Sequence, residues 1–241
     1  MPLFSGQVAV ITGAGSGIGK AVAAALAAEG SSLCLVGRNK EKLDAVASGL
    51  QGAHSIIRSY SADLSLDADV HRLIREVKKD FGQVHILVHS AGDFSMGLIE
   101  KSPVADLDRQ YRVNLRAPYL LTQGLLPTIR SCSGQIVFIN SSVGLGARAK
   151  VSQYAATKHA LKALADSLRE EVNSEGIRVL SVFLGRTATP MQETVHKMEG
   201  KTYIPELFMR TEDVASAIIH ALLMPGSAEV TDIHIRPMIK T

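Results

Sequence analysis

The sequence predicts a doubly wound α/β fold: a central parallel sheet of about seven strands flanked by helices, with a lid after strand six. Three observations carry that expectation. Short β-rich runs alternate with longer helical patterns along the 241 residues, an order that implies right-handed crossovers between parallel strands. The runs Ile86-Leu87-Val88 and Ile136-Val137-Phe138-Ile139 show little alternation of apolar and polar residues, as expected when both faces of a sheet are covered. The first strand also leads directly through a glycine turn into an alanine-rich helical run.

Taken in order, the first strand is 7–12, carrying Val8-Ala9-Val10-Ile11, and the turn TGAGSGIG fills Thr12 to Gly19. A helix follows over 17–29. The second strand, 32–36, ends in Gly37-Arg38-Asn39 before a helix at 40–50. The third, 55–60, leads to Ala62-Asp63-Leu64 and a helix at 66–81. The fourth, 84–89, leads to Ser90-Ala91-Gly92 and one long helix over 104–129. The fifth, 134–140, ends beside Ser141 and precedes a helix at 152–174. The sixth, 177–183, opens onto an excursion, 185–210, punctuated by Pro190, Gly200 and Pro205. A helix at 211–224 and a strand at 229–235 close the chain. Ligands of such folds bind beyond the carboxyl ends of the strands, so the excursion reads as a lid over a site; an ornamental surface loop is the other reading. With no repeat or linker, residues 1–241 are expected to form a single domain.

Composition narrows the function. The chain is 46% hydrophobic with 5% aromatics, which implies a large aliphatic core. A formal charge of +3 with scattered basic residues suggests neither nucleic acid nor an anionic membrane as partner. Cys34 and Cys132 lie in or beside apolar runs and read as packed thiols in a reducing compartment. The eight histidines show no metal-ligand spacing, so no metal is expected. No basic leader precedes the first strand and no apolar run is long enough to span a bilayer, which leads us to expect a cytoplasmic protein.

The glycine turn is the strongest chemical signal. Gly13, Gly17 and Gly19 let the backbone turn tightly and approach a ligand. A helix starting near Gly17 aims free N–H groups and its positive dipole end at the same place, a seat for a pyrophosphate. The expected lining of that seat is Gly13, Gly15, Ser16, Gly17, Ile18 and Gly19. In dinucleotide folds a carboxylate ending the second strand usually binds the ribose hydroxyls. Here that tip is Gly37-Arg38, and a guanidinium suits a 2′-phosphate. NADP is therefore the expected cofactor, the other reading of Arg38 being a solvated loop charge. Asp63 either accepts a hydrogen bond from the adenine amino group or caps the helix beginning near Leu66.

Tyr154 and Lys158, four apart in a helical pattern, fall on one face a turn apart. An ammonium beside a phenol favours phenolate; bringing a tyrosine from about 10 to near 7 takes roughly 4 kcal/mol. Ser141 lies at the tip of the fifth strand, so its hydroxyl and the phenol are expected at one edge of the sheet, where a carbonyl oxygen could meet both. Ser142 competes for that role but should point to the other side of the strand.

With these residues in hand, the chain resembles the short-chain dehydrogenase/reductase family over essentially its whole length. The matching features are T-G-x-x-x-G-x-G at Thr12–Gly19, Asp63, Ser90-Ala91-Gly92, Asn114, Ser141, Tyr154 and Lys158. The resemblance implies a Rossmann-type NAD(P) domain in which Tyr154 is the acid/base and Ser141 polarises the carbonyl. It implies that Lys158 binds the nicotinamide ribose and lowers the tyrosine pKa, and that Asn114 kinks a helix and holds a water in a proton relay. Leu64, Ser90, Ala91, Gly92, Gly185, Thr187 and Thr189 would join the cofactor site, Thr189 at the nicotinamide carboxamide.

The sequence departs from the family pattern in three places: His89-Ser90 stand where two asparagines are usual, Leu184 stands for a proline, and the C-terminus lacks a glycine-rich ending. The expected activity is reduction of a small-molecule ketone or aldehyde, or oxidation of the matching secondary alcohol, in a homodimer or homotetramer. An NAD-dependent alcohol dehydrogenase and a cofactor-binding sensor without turnover are the alternatives.

Four cations, Arg148, Lys150, Arg186 and Arg210, either frame the pocket mouth or are solvated. In the lid, Met191, Met198, Tyr203 and Phe208 either line the site or anchor the segment. His89 is expected to be structural.

Overall fold

The computed structural model describes residues 2–50 and 55–239; residues 1, 51–54 and 240–241 of the expected 1–241 span lie outside the description. Seven strands form one sheet in the order β3-β2-β1-β4-β5-β6-β7, and every pairing is parallel. They are β1 (Val8–Thr12), β2 (Ser32–Gly37), β3 (Ile57–Ser61), β4 (Ile86–His89), β5 (Gln135–Ser141), β6 (Arg178–Leu184) and β7 (Asp232–Ile235). The helices between them are α1 (Gly17–Ala28), α2 (Lys40–Gly49), α3 (Asp67–Phe81), α4 (Val104–Tyr111), α5 (Ala117–Arg130), α6 (Ser152–Val172), α7 (Pro190–Glu199) and α8 (Thr211–Leu222).

The period-two pleat divides each strand between two apolar layers. Ala9, Ile11, Ile86, Val88, Val137, Ile139 and Val182 face Val22 and Leu26 of α1 and Val214 and Ile218 of α8. Val10, Leu87, Ile136, Phe138 and Val179 face Leu73 and Val77 of α3, Leu121 and Leu125 of α5, and Leu161 and Leu168 of α6. Double coverage explains why β4 is buried at every position and why its sequence lacks alternation.

Two elements differ from expectation. The single helix over 104–129 is interrupted by a π-helical stretch at Arg112–Arg116, with Asn114 inside it. The stretch lies where the resemblance implies a kink at Asn114, and a wider turn of this kind re-aims side chains, a device typical of functional sites. The excursion after β6 contains a regular helix, α7. Thr189 caps its first turn by accepting from the Gln192 N–H at 3.1 Å, Pro190 occupies the first helical position, and Gly200 ends it at φ +67°. Threonine, proline and a terminal glycine are ordinary helix punctuation, so this helix was legible and was overlooked because its apolar stripe is weak.

Candidate active site

Between β1 and β4 the strand order reverses, and the crevice at such a switch point is where ligands settle in open α/β sheets. A cleft of about 610 Å³ opens there. Segments that leave consecutive strand ends form its walls: Gly13–Gly19 after β1, Arg38 after β2, Asp63 and Leu64 after β3, Ser90–Gly92 after β4, Ser141 on β5, and Gly185, Thr187 and Thr189 after β6. Tyr154 and Lys158 of α6 complete it. Of the expected site residues, Asn114 alone is not in the wall. It lies buried behind it, its Oδ1 3.6 Å from where a Cβ on Gly92 would stand.

The glycine turn is closed by backbone contacts. Gly13 has φ +69°, and a Cβ on it would meet the Ala91 backbone at 3.0 Å; one on Gly19 would lie 2.5 Å from the Gly13 carbonyl oxygen. Side chains are excluded at both. Ser16 precedes α1 without capping it, and the first turn carries no acid. The free N–H groups and positive end of α1 therefore face the cleft unopposed, which fits a pyrophosphate. The Thr12 hydroxyl ties the turns together, accepting from the N–H groups of Ser90 and Ala91, both at 3.0 Å, and donating to the Val88 carbonyl.

Arg38 in the bend after β2 and Lys42 in the first turn of α2 line the cleft, and neither is in an ion pair among the described residues, whereas Lys40 between them pairs with Asp44 at 2.6 Å. Lys42 went unremarked in the sequence, where its spacing from Arg38 was the available signal. Asp63 is not the cap of α3, whose N-cap position is Leu66. Instead its Oδ1 accepts from the Ser65 N–H and hydroxyl, at 2.9 and 2.7 Å, an Asx turn that leaves it on the cleft wall.

The buried stripe of α6 runs Lys158, Leu161, Ala165, Leu168, Val172, the three-and-four spacing of a helix face against a sheet. Tyr154, one turn before Lys158, sits where that stripe emerges into the cleft. The Lys158 ammonium lies 5.7 Å from the centre of the Tyr154 ring and donates to the Ile139 carbonyl at 2.9 Å. Asn140, also unforeseen, accepts from the Ser141 N–H at 2.8 Å and donates to the Lys158 carbonyl at 3.1 Å, joining β5 to α6 beside the hydroxyls.

The protein groups by themselves do not lower the Tyr154 pKa, a lowering that counts on an oxidised nicotinamide beside the phenol as well as on Lys158. Burial pushes the phenol up to about 12, and the Ser141 side chain is the group that pulls it down. Burial likewise draws Lys158 down to about 8. The cause in both is desolvation, which penalises the charged form, while the Lys158 ammonium donates to a backbone carbonyl. The phenol is therefore protonated at neutral pH, the state in which it can give a proton away.

Asn114 accepts from the Asp93 N–H at 2.7 Å and donates to the Asp93 carbonyl at 2.9 Å and the Thr157 hydroxyl at 3.1 Å. It thus clamps the strand-four turn to α6. His89 is buried against Phe138, ring centroids 4.8 Å apart, with its Nε2 2.8 Å from the Thr122 hydroxyl. Burial holds its pKa at about 3. Those contacts, with Thr12, hold the His89-Ser90 turn in place.

The rim separates the candidate cations. Arg148 and Arg186 line the cleft, whereas Arg210 pairs with Asp213 and the Lys150 carbonyl accepts from the Gly97 N–H at 2.7 Å, joining two rim loops. In the lid Met191 lines the cleft, Met198 is exposed, and Tyr203 and Phe208 pack on His196 as an anchor. Both cysteines are free. Among the described residues no helix is long and apolar enough to cross a membrane, and no group of three His, Cys, Asp or Glu could hold a metal.

Comparison with known proteins agrees with this architecture. Residues 7–200 match the short chain dehydrogenase family. An uncharacterized oxidoreductase of Staphylococcus epidermidis is 32% identical over 96% of this chain and 97% of its own. One from Staphylococcus aureus is 31% identical over 99% and 100%. A metagenomic short-chain oxidoreductase solved in complex with NADP superposes with a TM-score of 0.85 at 29% identity, covering 99% of this chain and 100% of its own. L-Sorbose reductase from Gluconobacter frateurii, complexed with NADPH and L-sorbose, gives 0.88 at 26% identity, covering all of both chains. The glycine turn, the strand order and these matches lead to one conclusion: the chain belongs to the short-chain dehydrogenase family and is an oxidoreductase.

Proposed function

We propose that the protein is an NADP(H)-dependent carbonyl reductase, reducing a ketone or aldehyde and capable of the reverse oxidation of the secondary alcohol. The observation that carries this reading is the gathering of Ser141, Tyr154 and Lys158 in the same cleft as the glycine turn. NADPH, when bound, supplies the hydride. Ser141 and the protonated Tyr154 would receive the carbonyl oxygen between them, and the phenol would pass its proton to the oxygen as negative charge develops there. Lys158 would hold positive charge beneath the phenol and so favour the phenolate left behind. Asn114 holds Asp93 and Thr157 in place, and a relay of protons from Lys158 towards solvent would pass along this flank. Gly13, Gly15, Ser16, Gly17, Ile18 and Gly19 fit the pyrophosphate. Arg38, with Lys42 beside it, fits the 2′-phosphate by charge. Ser90, Ala91 and Gly92 give close backbone approach, and Gly185, Thr187 and Thr189 stand on the far side.

The test compares initial rates of carbonyl reduction with NADPH and NADH, for the native protein and Tyr154→Phe. NADPH should be preferred, and the variant should bind NADPH while losing turnover. Equal or faster rates with NADH would make the protein an NAD enzyme and remove Arg38 from the argument. Turnover unaffected by Tyr154→Phe would remove the mechanism.

A further inference from the structure

The cleft wall beyond Ser141 and Tyr154 is apolar. Phe94 sets its ring edge-on to Tyr154, centroids 5.0 Å apart at 72°. Val143 lies two residues after Ser141 with its N–H 3.4 Å from the serine Oγ, Val151 immediately precedes α6, and the Met191 methyl lies 3.5 Å from where a Cβ on Gly92 would stand. Met96 and Val195 line the same space.

Arg109 and Arg186, the charged side chains inside that wall, are engaged with neighbouring groups. Arg109 donates to Asp93 and Asp106, both at 2.8 Å, and to the Ser95 hydroxyl at 2.9 Å. Arg186 donates to the two Glu199 oxygens at 3.2 and 3.1 Å, and its other terminal nitrogen lies 2.9 Å from His196 Nε2. The Gln192 amide faces His196 Nδ1 at 3.0 Å. Arg148 belongs to the exposed rim segment 145–150, where water and salt screen its charge. For a bound molecule the wall thus offers apolar surface around one polar end, formed by Ser141, Tyr154 and Ser142, which belongs to the tight turn after β5 and so lines the cleft instead of falling on the far side of the strand.

Building on the reductase reading above, we propose that the substrates are ketones flanked by apolar groups, aryl or branched-alkyl ketones, rather than polyhydroxylated or anionic carbonyl compounds. Each hydroxyl of a sugar entering this space gives up water where the polar side chains of the wall, Asp93, Gln192 and Glu199, are already engaged by Arg109, His196 and Arg186. A carboxylate would have to break the Arg109–Asp93 or Arg186–Glu199 pair to be met inside the cleft, since Arg148 is a solvent-screened charge at the exposed rim. Met96 and Met191, unbranched and polarisable, adapt to different apolar outlines, so activity should extend over a range of chain lengths.

The test uses the full chain and NADPH, following NADPH absorbance with a phenyl alkyl ketone, a branched-alkyl ketone, a ketohexose and a 2-ketoacid. NADPH binding is measured separately by its fluorescence. The expected result is kcat/KM for the phenyl ketone above that for the ketohexose by about 10²-fold or more. Phe94→Ala should raise KM for the phenyl ketone roughly tenfold or more and leave NADPH affinity unchanged. A ketohexose or ketoacid reduced as well as the phenyl ketone, or a preference indifferent to Phe94→Ala, would overturn the substrate class and leave the reductase standing. NADPH binding without reduction of any of the four would overturn both.

Discussion

On the dinucleotide side of the cleft, backbone meets backbone: the Gly13 turn presses on Ala91, Gly19 on the Gly13 carbonyl, and a threonine hydroxyl fastens the strand-four turn. On the lid side the segment 185–210 is held by side chains, through the Arg186–Glu199 pair, the Thr189 cap and a small aromatic cluster around His196. The first side tolerates no added atom at Gly13 or Gly19, because main-chain atoms cannot move out of the way without disturbing β1 and β4. The second can give, because a rotamer change suffices. This difference suits a family in which one wall holds a constant cofactor and the other meets varied substrates.

The largest effect that would test this division lies between the two walls. Tyr154→Phe should lower kcat by about 10²–10⁴-fold with NADPH affinity retained, measured by steady-state rates and fluorescence titration. On the rigid wall, Gly19→Ala should cost about 3 kcal/mol or abolish folding and NADPH binding, since its Cβ would stand 2.5 Å from a carbonyl oxygen. A denaturation midpoint equal to the native one would show that the turn is softer than its contacts imply. At the edge of that wall Arg38→Ala should weaken NADPH about 10- to 100-fold and NADH little; equal losses would show that Arg38 does not read the 2′-phosphate.

His89 makes a smaller, pH-dependent contribution. Its folded pKa, about 3, lies below the ordinary value of 6.5. As pH falls below 6.5 the unfolded chain takes up a proton that the native chain refuses, so stability declines by roughly 1.4 kcal/mol per pH unit towards the folded value. Urea midpoints at pH 7 and below should show a shallower decline in His89→Asn than in the native protein. The smallest effect belongs to the lid: Glu199→Gln should cost about 1 kcal/mol or less in stability, the pair being partly solvated, and change KM for the carbonyl more than for NADPH.

Much of the site was legible because it is written in local patterns. The glycine turn, the Tyr154–Lys158 spacing and Ser141 at a strand tip each follow from a strand or helix period, and the family resemblance supplied roles for Asn114 and Thr189. Less was legible where partners are distant in sequence. The hydrogen bonds of Asn140 to α6 and of Thr12 to the strand-four turn depend on which strands become neighbours, and nothing near either residue announces it. The apolar pattern shows no boundary at Arg112–Arg116, whose residues keep a helical spacing; only the family resemblance, through Asn114, implied a kink there. Thr189 and Gly200 did announce α7, and its weak apolar stripe hid it.

What the amino-acid order determined alone is the succession of strands and helices and the residues that end each strand, because apolar periodicity, glycine and proline act over a few residues at a time. Tertiary structure decided the ionisation of those residues and the character of the substrate wall. Phenol and ammonium titrate according to how much water their neighbours remove, and a charged side chain counts as available or engaged only once its partner, often more than ten residues away, has been placed beside it.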